Sequence, residues 1–102
     1  MATAAELIGR ARELAPGIAA RAVETEANRS PHDDTIRELV DAELMQTLVP
    51  SRWGGHALDL DAHRQIVETV SAACVSTGWI LAFYMGHNYL LTKFSEQAQA
   101  EA

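Results

Sequence analysis

Ser76, Trp79, Phe83 and His87 stand at i, i+3, i+7 and i+11, a spacing that places all four on one side of a helix. Two flat rings leading to an imidazole could hold a flat aromatic ligand and hydrogen-bond its polar end. The same pattern also suits a core in which a backbone carbonyl satisfies His87. Asn88 points about a quarter turn away and is expected to fix a neighbouring loop or helix end. A second candidate is "RWGG" at 52–55. Its glycines permit positive φ or close backbone approach, and Trp53 offers a broad flat surface. Trp53 either caps a helix–helix connection or walls a ligand pocket.

Other chemistries find less support. His56 and His63 lie near Asp59 and Asp61, but the spacing matches no tetrahedral zinc pattern, so no metal site is expected. The single Cys74 excludes an internal disulfide and reads as a small core residue. No phosphate-binding loop, dinucleotide fingerprint, G-x-S-x-G or H-E-x-x-H occurs.

The elements that must carry these residues are helical, because 3.6-residue spacing recurs and period-2 alternation does not. Thr3 and Glu6 form a capping-box pattern before a stripe of Leu7, Ala11, Leu14, Ile18 and Ala22. Pro16 lies inside that stripe, where a kink is expected. Ser30 and Pro31 read as cap and first residue of a second helix with Ile36, Leu39, Val40 and Leu44 on its apolar face. Pro50, Gly54 and Gly55 interrupt the chain. A third helix is expected to start near Asp59 or Asp61 and to bury Leu60, His63, Ile66, Val67, Val70 and Cys74. A fourth spans about 76–94 and is apolar around most of its circumference. Ser95 caps a fifth, short one. The fold class is all-α, an antiparallel bundle of about four to five helices over residues 1–102.

At 102 residues, with 48% hydrophobic and 22% charged residues, the chain has the composition of one globular domain. A net charge of −6 argues against a nucleic-acid partner, which needs clustered positive charge. The start of the chain lacks a basic stretch followed by an apolar run, as a secretory signal requires. The apolar run after Cys74 is interrupted by Ser76, Thr77, Gly78, Gly86, His87 and Asn88, which suits a core helix better than a membrane span. A cytoplasmic, soluble chain is expected. Yet a helix apolar all round needs cover on every side, and three flanking helices are too few. The chain reads as one piece of a larger assembly.

In order, "VPSRWGG", "LDLD", "STGW" and the histidine eight residues after Trp79 resemble the N-terminal helical domain of the acyl-CoA dehydrogenase fold. More narrowly they resemble the oxygenase components of two-component flavin-dependent monooxygenases of the 4-hydroxyphenylacetate 3-hydroxylase type. The resemblance implies three domains in the complete enzyme: this one, a β-rich middle domain and a C-terminal helical bundle, the latter two absent from this chain. It implies a tetramer and a separate flavin reductase. Reduced flavin (FMNH2 or FADH2) would form a C4a-hydroperoxide whose distal oxygen passes to an aromatic substrate. The flavin lies mainly between the other two domains, so tight binding by this chain alone is not expected and no cofactor-binding residue is assigned. The catalytic position carried over is His87, against the phenolic oxygen, with Trp53, Trp79 and Phe83 as further substrate-binding residues. Two other readings stand beside this one: an acyl-CoA dehydrogenase-like oxidoreductase, and a stand-alone helical interaction module without catalysis.

Overall fold

The computed structural model describes residues 2–101. Six α-helices account for most of them: α1 Ala4–Ala20, α2 Ala22–Asn28, α3 Asp33–Asp41, α4 Leu60–Ala73, α5 Val75–Leu91 and α6 Glu96–Glu101. Short 3-10 turns occur at Leu44–Gln46 and Ser51–Trp53. The all-α expectation holds, with six α-helices among the described residues against the four to five expected. Among the described residues, no helix is long and apolar enough to cross a membrane.

Thr3 caps α1 as expected, its hydroxyl accepting the Glu6 N–H at 3.2 Å. Pro16 does not end the helix, which runs on to Ala20. The helix breaks at Arg21, whose N–H is shared between the carbonyls of Gly17 and Ile18. Its guanidinium explains the position: it grips Glu38 at 2.7 and 3.1 Å and the Thr35 hydroxyl at 3.0 Å, tying the α1–α2 junction to α3. This hydrogen-bonded pair holds the Glu38 carboxyl below its ordinary pKa. A depressed carboxylate pKa contributes stability above the unfolded value, near pH 4.3, that is lost as pH falls through the folded value. Both groups are part-exposed, so the contribution is about 0.5–1 kcal/mol. Urea unfolding at pH 6 and pH 3 should therefore show a smaller acid loss in Glu38→Gln than in the parent.

The second helix starts later than the sequence suggests. Arg29 ends α2 in the left-handed region at φ 56°, and Ser30–Pro31 form a connector. His32, not Ser30, caps α3, its Nδ1 accepting the Asp34 N–H at 3.1 Å. Leu39 is fully buried, but Val40 faces solvent, and Leu44 reaches the core from a 3-10 turn after the helix has ended. The third expected helix appears as α4, capped by Asp59 through the Ala62 N–H at 2.9 Å. Ile66, Val70 and Cys74 are buried as expected, whereas Leu60 is exposed because it opens the helix before the apolar stripe turns inward.

Between α3 and α4 the chain folds back on itself. His56, Ala57 and Leu58 donate their N–H groups to the carbonyls of Gln46, Val49 and Thr47. Both glycines of "RWGG" are needed there. Gly54 adopts φ 82°, and a Cβ on Gly55 would lie 2.5 Å from the Val49 carbonyl carbon.

The core is formed by Leu7, Ala11 and Ile18 of α1, Leu39 of α3, Ile66 and Val70 of α4, and Leu81 and Met85 of α5. α4 lies against both α1 and α5. The molecule measures 41 × 27 × 19 Å, so its thin dimension is about two helix diameters. A helix in an outer layer of such a slab has one face with nothing over it. That is the situation of α5.

Candidate substrate-facing site

α5 continues from α4 through one extended residue, Cys74. Its Thr77, Gly78, Leu81 and Met85 face inward. The opposite side is also apolar and lies open: Trp79 is 70% exposed and Phe83 54%, with Val75, Tyr84 and Leu90 exposed beside them. The helix therefore has two apolar faces, one spent on this domain's core and one unpartnered. Ser76, Trp79, Phe83 and His87 run along the open face, as their spacing predicts.

His87 is exposed in this chain. Its Nδ1 lies 2.7 Å from the Phe83 carbonyl oxygen. A carbonyl can only accept, so Nδ1 carries the hydrogen. In the neutral ring Nε2 then keeps its lone pair and is an acceptor. The ring rests against Phe83 with centroids 4.1 Å apart and planes tilted by 34°. A backbone bond and a neighbouring ring thus hold an acceptor nitrogen at one end of an aromatic strip.

Trp53 is not part of that strip. Its indole N–H donates to Gln99 Oε1 at 3.0 Å, where Arg52 also donates at 2.9 Å. Arg52 further pairs with Glu96. The "RWGG" turn thereby pins α6, which Ser95 caps as expected through the Ala98 N–H. Trp53 shares a cleft of about 200 Å³ with Gln46, Asn88 and Leu91. Asn88 does what its position predicts, donating to the Met45 carbonyl at 2.9 Å and locking α5 to the preceding loop.

The other histidines are placed apart. His56 is buried, accepting the Ala2 N–H at Nδ1 (2.9 Å) and presenting Nε2 to Glu43 at 3.3 Å. His63 is partly buried on α4, and desolvation lowers its pKa. Arg29, which drew no notice in the sequence, lines a groove beside Trp79. A left-handed cap favours glycine or asparagine, so no sequence signal marks an arginine that occupies one.

Residues 4–102 match the family model for the acyl-CoA dehydrogenase N-terminal domain. The chain belongs to that family. Its relatives within the acyl-CoA dehydrogenase fold are hydroxylating enzymes. A pigment production hydroxylase of Rhodococcus sp. is 46% identical over 99 residues, covering 97% of this chain and 26% of the relative. The oxygenase subunit of a flavin-dependent monooxygenase of Rhodococcus jostii is 36% identical over 88 residues, covering 86% and 23%. The oxygenase component of an FADH2-dependent resorcinol hydroxylase of Rhizobium sp. is 30% identical over 95 residues, covering 93% and 23%. The crystal structure of 3-HSA hydroxylase from Rhodococcus sp. RHA1 superposes with a TM-score of 0.91 at 35% identity, over 94% of this chain and 25% of that one. The acyl-CoA dehydrogenase N-terminal domain described here thus spans about a quarter of the length of each of these relatives.

Proposed function

We propose that this chain is the N-terminal, substrate-facing domain of the oxygenase component of a two-component flavin-dependent monooxygenase that hydroxylates a phenolic ring. The observation that carries this reading is His87, whose Nδ1 bond to the Phe83 carbonyl leaves Nε2 as an acceptor beside exposed aromatic rings. A phenol lying against Phe83 and Trp79 would donate its O–H to Nε2. As the proton moves toward the imidazole, electron density on the phenol ring rises and electrophilic attack becomes easier. The flat apolar side chains hold the ring in one plane and keep water from the reacting position.

Reduced flavin, delivered by a separate reductase, supplies the activated oxygen when bound. The open face of α5 fits such a group at its ring end only. Trp79, Phe83 and Tyr84 form an apolar wall, and its polar neighbour His87 is an acceptor rather than a phosphate donor. Phosphates of FMN or FAD would be held by the middle and C-terminal domains. Docking of those domains, within a homotetramer, would also cover the remaining apolar surface of α5.

The relatives' activities support hydroxylation over thioester oxidation. A direct test places this chain in front of the middle and C-terminal domains of the 46%-identical Rhodococcus relative. With reduced flavin and O2 the chimaera should form a hydroxylated phenol at a rate within about tenfold of the parent, a loss equivalent to about 1.4 kcal/mol. A folded, flavin-binding chimaera that consumes reduced flavin without hydroxylating any phenol accepted by the parent would overturn the reading.

A further inference from the structure

α5 carries no charged side chain between Val75 and Leu91, and both of its long faces are apolar. Once the open face is covered as well, turning the helix about its axis exchanges one apolar surface for another. Burial alone therefore sets the rotation of α5 weakly. Rotation matters because His87 rides on this helix. An imidazole carried about 5–6 Å from the axis moves by roughly 1 Å for each 10° of turn. A misplacement of about 1 Å can cost about 10²-fold in rate.

Near its start the helix is held by Gly78, where an added Cβ would come 2.7 Å from Ser71 Cα. His87 stands nine residues further on, roughly 14 Å along the axis, and a helix pinned at one point can pivot about it. On the inward side, Cys74, Gly78, Leu81 and Met85 follow one another at alternating steps of four and three, all buried. The next position in that series is Asn88, a carboxamide where an apolar seam would continue. No residue of α5 beyond Met85 is fully buried.

Asn88 Nδ2 donates to the Met45 carbonyl at 2.9 Å. Among the described residues, only this bond and that of Ser76 to Glu26 run from an α5 side chain to another element. Its acceptor is firmly held. Leu44 and Thr47, on either side of it, are fully buried, and the Thr47 hydroxyl donates to the Leu44 carbonyl at 2.6 Å. A lone polar residue in an apolar seam specifies register at a cost in stability, because other arrangements leave its polar group unpaired.

We infer that Asn88 is a positioning residue for His87: its bond to the Met45 carbonyl fixes the rotation of the second half of α5, and so the direction of Nε2. This rests on the reading that Nε2 accepts the phenol proton. Asn88 acts through the helix, one residue and about 100° around it from the imidazole.

Asn88→Leu nearly keeps the side-chain shape, removes the donor and makes the seam wholly apolar. In the chimaera its Tm should be no lower than the parent's, yet kcat for a neutral phenol should fall about 10–100-fold with KM within about twofold. A phenol already ionised at the assay pH should lose far less. Asn88→Leu combined with His87→Ala should be no slower than His87→Ala alone. In the chain itself, methyl NMR should show the Met85 signal broadened or doubled by Asn88→Leu while those of Ile66 and Val70 stay single. An unchanged kcat, equal losses for neutral and ionised phenols, full additivity with His87→Ala, or a single parent-like Met85 signal overturns the inference. If His87→Ala costs no rate, the proton-acceptor reading fails instead, and the Met85 signal alone decides whether Asn88 fixes the helix.

Discussion

Replacing His87 with alanine in the chimaera should lower phenol hydroxylation by about 10²–10³-fold, the range for loss of a positioned proton acceptor. Flavin binding and thermal stability should hardly change, because the side chain is exposed and its one protein bond goes to a carbonyl already within a helix. The decisive control is the substrate. A phenol acidic enough to be ionised at the assay pH needs no acceptor for its proton, so it should lose far less rate. An equal loss for neutral and ionised phenols would show that His87 shapes the pocket and takes no part in moving the proton. His87→Gln separates the two contributions further: its carboxamide oxygen can accept a hydrogen bond but cannot take a proton at neutral pH.

The second large effect concerns the crossing of α4 and α5. A Cβ at Gly78 would lie 2.7 Å from Ser71 Cα and 2.8 Å from its Cβ, with the hydroxyl also in the way. Backbone cannot yield as a flexible side chain can, so Gly78→Ala should destabilise the fold by about 2–4 kcal/mol. For a domain of this size that is a fall in Tm of roughly 10–25 °C. Gly86, on the same helix, has nothing within 4 Å of an added Cβ. Gly86→Ala should therefore raise stability by about 0.5–1 kcal/mol through helix propensity. Adding Ser71→Gly to Gly78→Ala should recover only part of the loss, since Ser71 Cα remains. Equal Tm values for the two alanine variants would disprove the close crossing.

The helical class, α4 with its start near Asp59 or Asp61, and the buried Cys74 were all legible in the sequence. Each depends on periodicity, a cap or a turn within a few residues. What was hidden depends on partners distant along the chain. The split at Arg21 follows from a grip on Thr35 and Glu38, 14 and 17 residues later. The later start of α3 follows from Arg29 in a left-handed cap, against the usual preference. For the site, spacing grouped Trp79, Phe83 and His87 correctly because all three ride one helix. Trp53 could not be placed that way, since Gln99, a residue 46 positions away, holds its indole. The tautomer of His87 was likewise invisible, because it depends on a bond length and not on a residue type.

The open face of α5 also decides what light can report. Trp79 is 70% and Trp53 43% exposed, so both indoles already meet water in the folded chain. The core of Leu7, Ile66 and Leu81 contains no indole. Melting that core therefore alters the surroundings of neither fluorophore as much as a covering surface would. Their emission is a gauge of what settles on this domain, and circular dichroism is the better gauge of whether it has folded.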